Sequence, residues 1–323
     1  MPNTSKSAKK SKDVNIYVTA YGDESIFELS LDSYLRQSYE KLKIHIFDDG
    51  YAVGIHSIRD LVKKKRDSRI IYSANPIRFG TPGNDIQMLG QVNPTAKAVI
   101  LAADMGLADN ALAELMSCAV KSSSQVVMPS GQSHDYSNCT IGGSLPFGPK
   151  LRDHIKYSDE ECTVDCGQIL DKYFGEENAR GEFSAFCLFG ALIDGALIAT
   201  FESGYKRFSF HGFEQYLSML LALSANSVTF TPEPLIRDIV GQPRLGGHYR
   251  PIDAISRFEC LQGCEDFLQR NYFILRYKGI DVDRLRVGLA GNANFFLSNY
   301  KGYKAPVSKI LKSNLDLLQL GSP

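Results

Sequence analysis

The residues best placed to do chemistry stand immediately after short apolar runs: Thr19-Ala20-Tyr21-Gly22-Asp23, Asp48-Asp49-Gly50, Asn75-Pro76 and Asp104-Met105-Gly106. Three of these four clusters carry carboxylates. In an open parallel sheet, ligands bind beyond the carboxyl ends of the strands, so acids recurring there point to a bound ligand rather than to isolated turn formers. Carboxylates can accept hydrogen bonds from a base or ribose and can hold a cation bridging a diphosphate.

Such an arrangement requires strands alternating with crossover helices, and the chain reads that way. Apolar runs at Val14 to Thr19, Ile44 to Phe47, Arg69 to Tyr72, Ala98 to Ala102 and Gln125 to Met128 predict strands. Between them, Ile26, Leu29, Leu31, Tyr34 and Leu35 make one helical face, and Ile55 to Lys65, Thr81 to Val92 and Asp109 to Val120 read as further helices. The run Lys63-Lys64-Lys65-Arg66 reads as a solvated helix end. From Pro129 to Glu182 the pattern gives way to Gly, Ser, Pro, Asn and charge, which predicts a long irregular insertion. Order is expected again at Phe183 to Phe189, in a helix through Tyr216 to Leu223 and in a short strand at Val228 to Phe230. Beyond Ile252 only helical periodicity remains. The expected class is α/β: a mostly parallel sheet flanked by helices, with a helical C-terminal extension.

Composition narrows the function. Thirty-six Lys and Arg balance 36 Asp and Glu, which removes any global electrostatic case for binding nucleic acid. No apolar run approaches the roughly 18 residues of a membrane span. Seven cysteines without a regular close spacing suit a reducing, cytoplasmic setting. Residues 1–13 read as a flexible basic tail whose four lysines could touch an anionic membrane at its inner face. Cys162/Cys166 and Cys260/Cys264 are spaced to share a helix face, yet structural zinc usually prefers C-x-x-C, so idle thiols are expected. The chain lacks G-x-G-x-x-G after its first strand, G-x-x-x-x-G-K-[ST] and G-x-S-x-G, which sets aside dinucleotide, P-loop and hydrolase chemistry.

With these pieces in place, the opening VNIYVTAYG, YLRQSY and FDDGY resembles the family two glycosyltransferases of GT-A fold, whose pattern runs V-x-V-I-x-P-x-Y-N, L-x-Q-T-Y and D-D-G-S. NPIRFGTPGND is similar to the family's N-x-G-x-x-x-A-R-N element, VILAADMGLADNAL to its D-x-D-D strand end, and HGFEQYLSMLLAL to its later E-D helix. The resemblance implies a GT-A domain with a nucleotide-sugar half at 14–128, an acceptor half at 129–251 and an extension at 252–323. It further implies a hexosyltransferase that moves a sugar, with inversion, from a UDP- or TDP-sugar to an acceptor hydroxyl in surface glycan or glycolipid synthesis.

By the same resemblance Thr19, Tyr21, Asp49, Asp104 and Asn84 would hold the donor nucleotide, with Asp48 supporting the loop. Asp104 and His248 would hold Mn²⁺ or Mg²⁺, Arg244 or Arg250 would pair with phosphate, and Glu214 would deprotonate the acceptor. The base contact has a chemical logic, because a carboxylate at Asp49 accepts the N3–H that uracil has and cytosine lacks. The departures are Ala102 for the first Asp of D-x-D, Met105 for the acid after it, Gly83 for the Arg of A-R-N, Gly22 for Asn, and Phe213 and Leu220 in the E-D helix. They leave two alternatives open: a lapsed glycosyltransferase-like binding or scaffold protein, and a transferase that works without metal.

Overall fold

The computed structural model describes residues 13–20, 24–49, 57–77, 79–135, 150–155, 158–165, 167–169, 189–200, 224–240 and 268–287. The first half is a run of βα units: β1 (Val14–Ala20), α1 (Glu24–Leu35), β2 (Leu42–Asp48), α2 (Ile58–Lys65), β3 (Ile70–Ala74), α3 (Gly80–Leu89), β4 (Lys97–Ala102), β5 (Met105–Leu107), α4 (Ala111–Ser122) and β6 (Val126–Asp135). Then come β7 (Lys150–Ile155), β8 (Cys162–Asp165), β9 (Leu192–Asp194), α5 (Gly195–Thr200), β10 (Ser227–Val240) and α6 (Tyr272–Tyr277).

These ten strands form one mixed sheet in the order β3-β2-β1-β4-β9-β6-β10-β5, with β7 on β6 and β8 on β10. Strands β3, β2, β1 and β4 are mutually parallel, and β6 runs parallel to β10. β9 enters antiparallel between β4 and β6. The α/β class is therefore realised. β1 and β4 are buried almost throughout, as strands with covered faces must be, and their β-branched residues suit that setting. The core joins Val14, Ile16 and Val18 of β1 to Phe27 and Leu31 of α1 and to Leu112 and Leu115 of α4. Among the described residues no helix is long and apolar enough to cross a membrane.

Four expectations are corrected. The stretch 129–182 is not irregular throughout, since β6 runs on to Asp135 and β7 and β8 add antiparallel strands. Cys162 accordingly lies in a strand, while Cys166, Cys260 and Cys264 lie outside the described residues. The short strand at Val228 to Phe230 is 14 residues long, carried past Pro232 and Pro234 by irregular register. Lys65 is not a solvated end: its side chain is mostly buried and its ammonium bridges Glu28 (2.9 Å) and Asp32 (2.6 Å), tying α2 to α1.

Tyr17 is fully buried, and its ring stacks on His45 of the next strand at 4.8 Å. Burial first, and then the charge of Lys43, hold the imidazole below its ordinary pKa of 6.5. The neutral ring is thus favoured by folding, and its contribution is full above that value and lost as pH falls through the lowered native one. His45→Phe, which keeps a stacking ring, is expected to reduce the drop in urea midpoint between about pH 7 and about pH 5. An unchanged drop would show that His45 is not a source of it.

Candidate functional site

The parallel register carries the candidate residues to one edge of the sheet. Ala20 pairs with Asp48, Asp48 with Ala74, and Thr19 with Ala102, so β1 to β4 end within a rung or two of one another. Backbone bonds prolong the ladder past the strands, from Asp49 N–H to Ala20 O (3.0 Å) and from Asn75 N–H to Asp48 O (2.8 Å). Asp49 therefore follows the tip of β2 and Asp104 lies two residues past the tip of β4, on either side of β1.

Asp49 is 2% exposed and heads a buried polar network. Its Oδ1 accepts from Asn75 Nδ2 (3.2 Å) and from the Phe79 N–H (2.8 Å) at the start of α3. Asn75 Nδ2 also donates to Asn84 Oδ1 (3.0 Å), and Asn84 Nδ2 to Phe47 O (2.9 Å). Both ends of the Asn84 amide are thus engaged within the protein, which sets it behind Asp49 as a support. Asp48 accepts from Tyr72 Oη (2.6 Å), whose phenol is pushed well above its usual pKa by burial and then by that bond. A carboxylate fixed through charge-assisted bonds and a helix N-terminus is pre-oriented before any ligand arrives.

The backbone at Gly83 leaves no room for a side chain. A Cβ at Gly83 would fall 2.7 Å from Phe79 Cβ, so a side chain there would displace the residue whose N–H holds Asp49. Phe79 itself is 45% exposed.

Asp104, partly exposed, occupies the turn between β4 and β5, and α1 builds that turn from below. Tyr34 Oη donates to Met105 O, and its phenol is pushed far up by burial, with the Asp104 charge adding to the rise. Ser33 Oγ accepts from Leu107 N–H (2.9 Å). Gln37 Nε2 donates to Ala108 O (2.7 Å) and to Ser33 O (3.1 Å), while its Oε1 accepts from Leu112 N–H (3.1 Å). The Asn110 N-cap of α4 makes no side-chain cap bond, so Gln37 satisfies that helix end from outside. Its 4% exposure means that removing the amide leaves buried groups unpaired. Gln37→Met should destabilise the protein by about 2–3 kcal/mol in urea titrations, and a loss below about 0.5 kcal/mol would rule out this clamp.

Thr19 is partly exposed one residue before the end of β1. Tyr21, Glu214, His248, Arg244 and Arg250 lie outside the described residues. Among those described, no group of three or more His, Cys, Asp or Glu side chains is placed to hold a metal ion. Ala102 offers no second carboxylate beside Asp104, so at this turn Asp104 would hold Mn²⁺ or Mg²⁺ together with phosphate oxygens and water.

No family model matches the chain, and no curated protein does. Solved structures do match its fold. Staphylococcus aureus TarS 1–349 in complex with UDP-GlcNAc is similar at a TM-score of 0.64 and 11% identity over 95% of this chain and 81% of that one. TarS 1–349 in complex with UDP gives 0.53 and 13% over 95% and 89%, and TarS itself 0.53 and 13% over 96% and 53%. Identity this low carries the fold alone: an α/β domain built on a sheet like that of TarS.

Proposed function

We propose that this chain is an inverting, UDP-sugar-dependent glycosyltransferase of the family two, GT-A type. The observation that carries the reading is Asp49, locked by Asn75 and Phe79 at the tip of β2, sharing a sheet edge with Asp104 beyond the tip of β4. The likeness to a fold crystallised with UDP and UDP-GlcNAc supports it. Asp49 takes the uracil N3–H, with Thr19 and Tyr21 beside the base, and Asp104 faces the ribose and diphosphate. Glu214 removes the acceptor hydroxyl proton. The acceptor oxygen forms a bond to the anomeric carbon from the side opposite the breaking C–O bond, and UDP departs with that electron pair. TDP-sugars share the N3–H, and glycans or glycolipids of the cell surface supply the hydroxyl.

Calorimetry of the intact chain with UDP, with and without Mn²⁺, tests the donor. Heat saturating at one UDP per chain is expected, and no heat under either condition would overturn the reading. The gain on adding Mn²⁺ measures whether a cation joins the diphosphate.

A second reading, a binding or scaffold protein of lapsed catalysis, is favoured by Ala102 and Gly83. Turnover of a UDP-sugar that disappears in Glu214→Gln would reject it.

A further inference from the structure

We propose that the exposed face of α6 docks on an anionic lipid bilayer. Three large apolar side chains are exposed on this helix, two of them almost bare: Phe273 is 85% exposed and Tyr277 94%, with Ile274 at 58%. Phe273 and Tyr277 are four residues apart and share a face, with Arg270 one turn before them. The segment is firmly seated, because Leu268, Leu275, Ile280, Val282 and Leu285 are buried. Its end is fixed by a Schellman closure, Ile280 N–H to Leu275 O (3.0 Å) and Gly279 N–H to Arg276 O (3.0 Å), with Gly279 at φ +78°. Leu275 and Ile280 meet the protein while Phe273 and Tyr277 are held away from it, so their exposure is built in.

Charge identifies the occupant. Residues 268–287 hold five cations, Arg270, Arg276, Lys278, Arg284 and Arg286, against Asp281 and Asp283, whereas the rest of the chain carries an excess of acids. Arg286 already serves the protein, lying 5.8 Å over the Tyr272 ring and 3.5 Å from Asp283. Arg270, Arg276 and Lys278 are exposed beside the aromatic side chains. Aromatic rings seat at headgroup depth, and each nearby Lys or Arg adds roughly 1 kcal/mol of attraction to an anionic leaflet. Three side chains of roughly 150–250 Å² each fall short of the ~800 Å² per partner of a stable protein interface. A fluid lipid surface needs no complementary groove, and this docking does not depend on the reaction proposed above.

Co-sedimentation of the full chain with vesicles tests it. Vesicles of phosphatidylcholine with about 30% phosphatidylglycerol are expected to bind at least about five-fold more protein than phosphatidylcholine alone, the excess falling as NaCl rises from about 0.1 M to about 0.5 M. The double substitution Phe273→Ser with Tyr277→Ser should reduce binding about ten-fold or more, and Arg270→Gln with Arg276→Gln should remove most of the anionic preference, both with an unchanged melting temperature. Absence of binding by the parent chain, or undiminished binding by the double Ser variant, would overturn the proposal. So would a dimer in sedimentation velocity that the Ser variant dissociates, which would make a second copy the occupant.

Discussion

Asp49→Asn is expected to exchange the nucleotide preference of the site from UDP to CDP. The amide oxygen can continue to accept from Phe79 N–H and Asn75 Nδ2, so these two bonds survive. The NH₂ that replaces the second carboxylate oxygen opposes the N3–H of uracil and meets the bare N3 acceptor of cytosine. A buried donor facing a donor costs about 2–4 kcal/mol, so UDP should weaken by roughly 30-fold to 800-fold while CDP becomes the tighter ligand. Calorimetry on both nucleotides with parent and variant reads this directly. If the parent binds UDP and the variant binds it equally well, Asp49 does not read the base. If the parent binds no UDP, it is the donor assignment that falls.

The largest structural effect is expected at Gly195. A Cβ there would lie 2.0 Å from Asn93 O and 2.8 Å from Ala96 O, both backbone atoms that no side-chain rotation can move. Gly195 N–H also donates to Ala96 O (2.9 Å), so the close approach is what joins the end of β9 to the loop before β4. Gly195→Ala must break that joint or push β9 out of its slot, at a cost of about 3 kcal/mol or more. Thermal unfolding should shift down by roughly 4–6 °C. A shift within about 1 °C would mean the joint yields freely.

The βα units of the first half were legible because each strand and helix other than β5 is long enough to show its period. Ser57 also caps α2, accepting from Asp60 N–H. The three-residue strands β5 and β9 carry no readable period, and β7 and β8 come from polar sequence whose strand state is imposed by β6 and β10. Pro232 and Pro234 broke the reading of β10, because prolines argue against a strand unless register irregularities accommodate them. At the site, the positions of Asp49 and Asp104 followed from strand ends alone. Their supports did not: Asn75 stands out at a strand end but not as a donor to Asp49, and nothing local in Gln37 tells that it caps a helix more than 70 residues away. Such roles exist only once the chain has folded back.

The strand that completes the Asp104 turn arrives late. β5 pairs with residues 236–238 of β10, and β9, from 192–194, must slide between β4 and β6 before the sheet is whole. The bonds of Asp49 to Asn75 and Phe79, and of Asn75 to Asn84, join residues that leave the ribosome while more than two hundred are still unmade. The opposite carboxylate waits for a segment more than a hundred positions downstream. Nascent chains therefore meet the surroundings of the first acid before those of the second, and a fragment stopping short of β10 would lack the strand that pairs with β5.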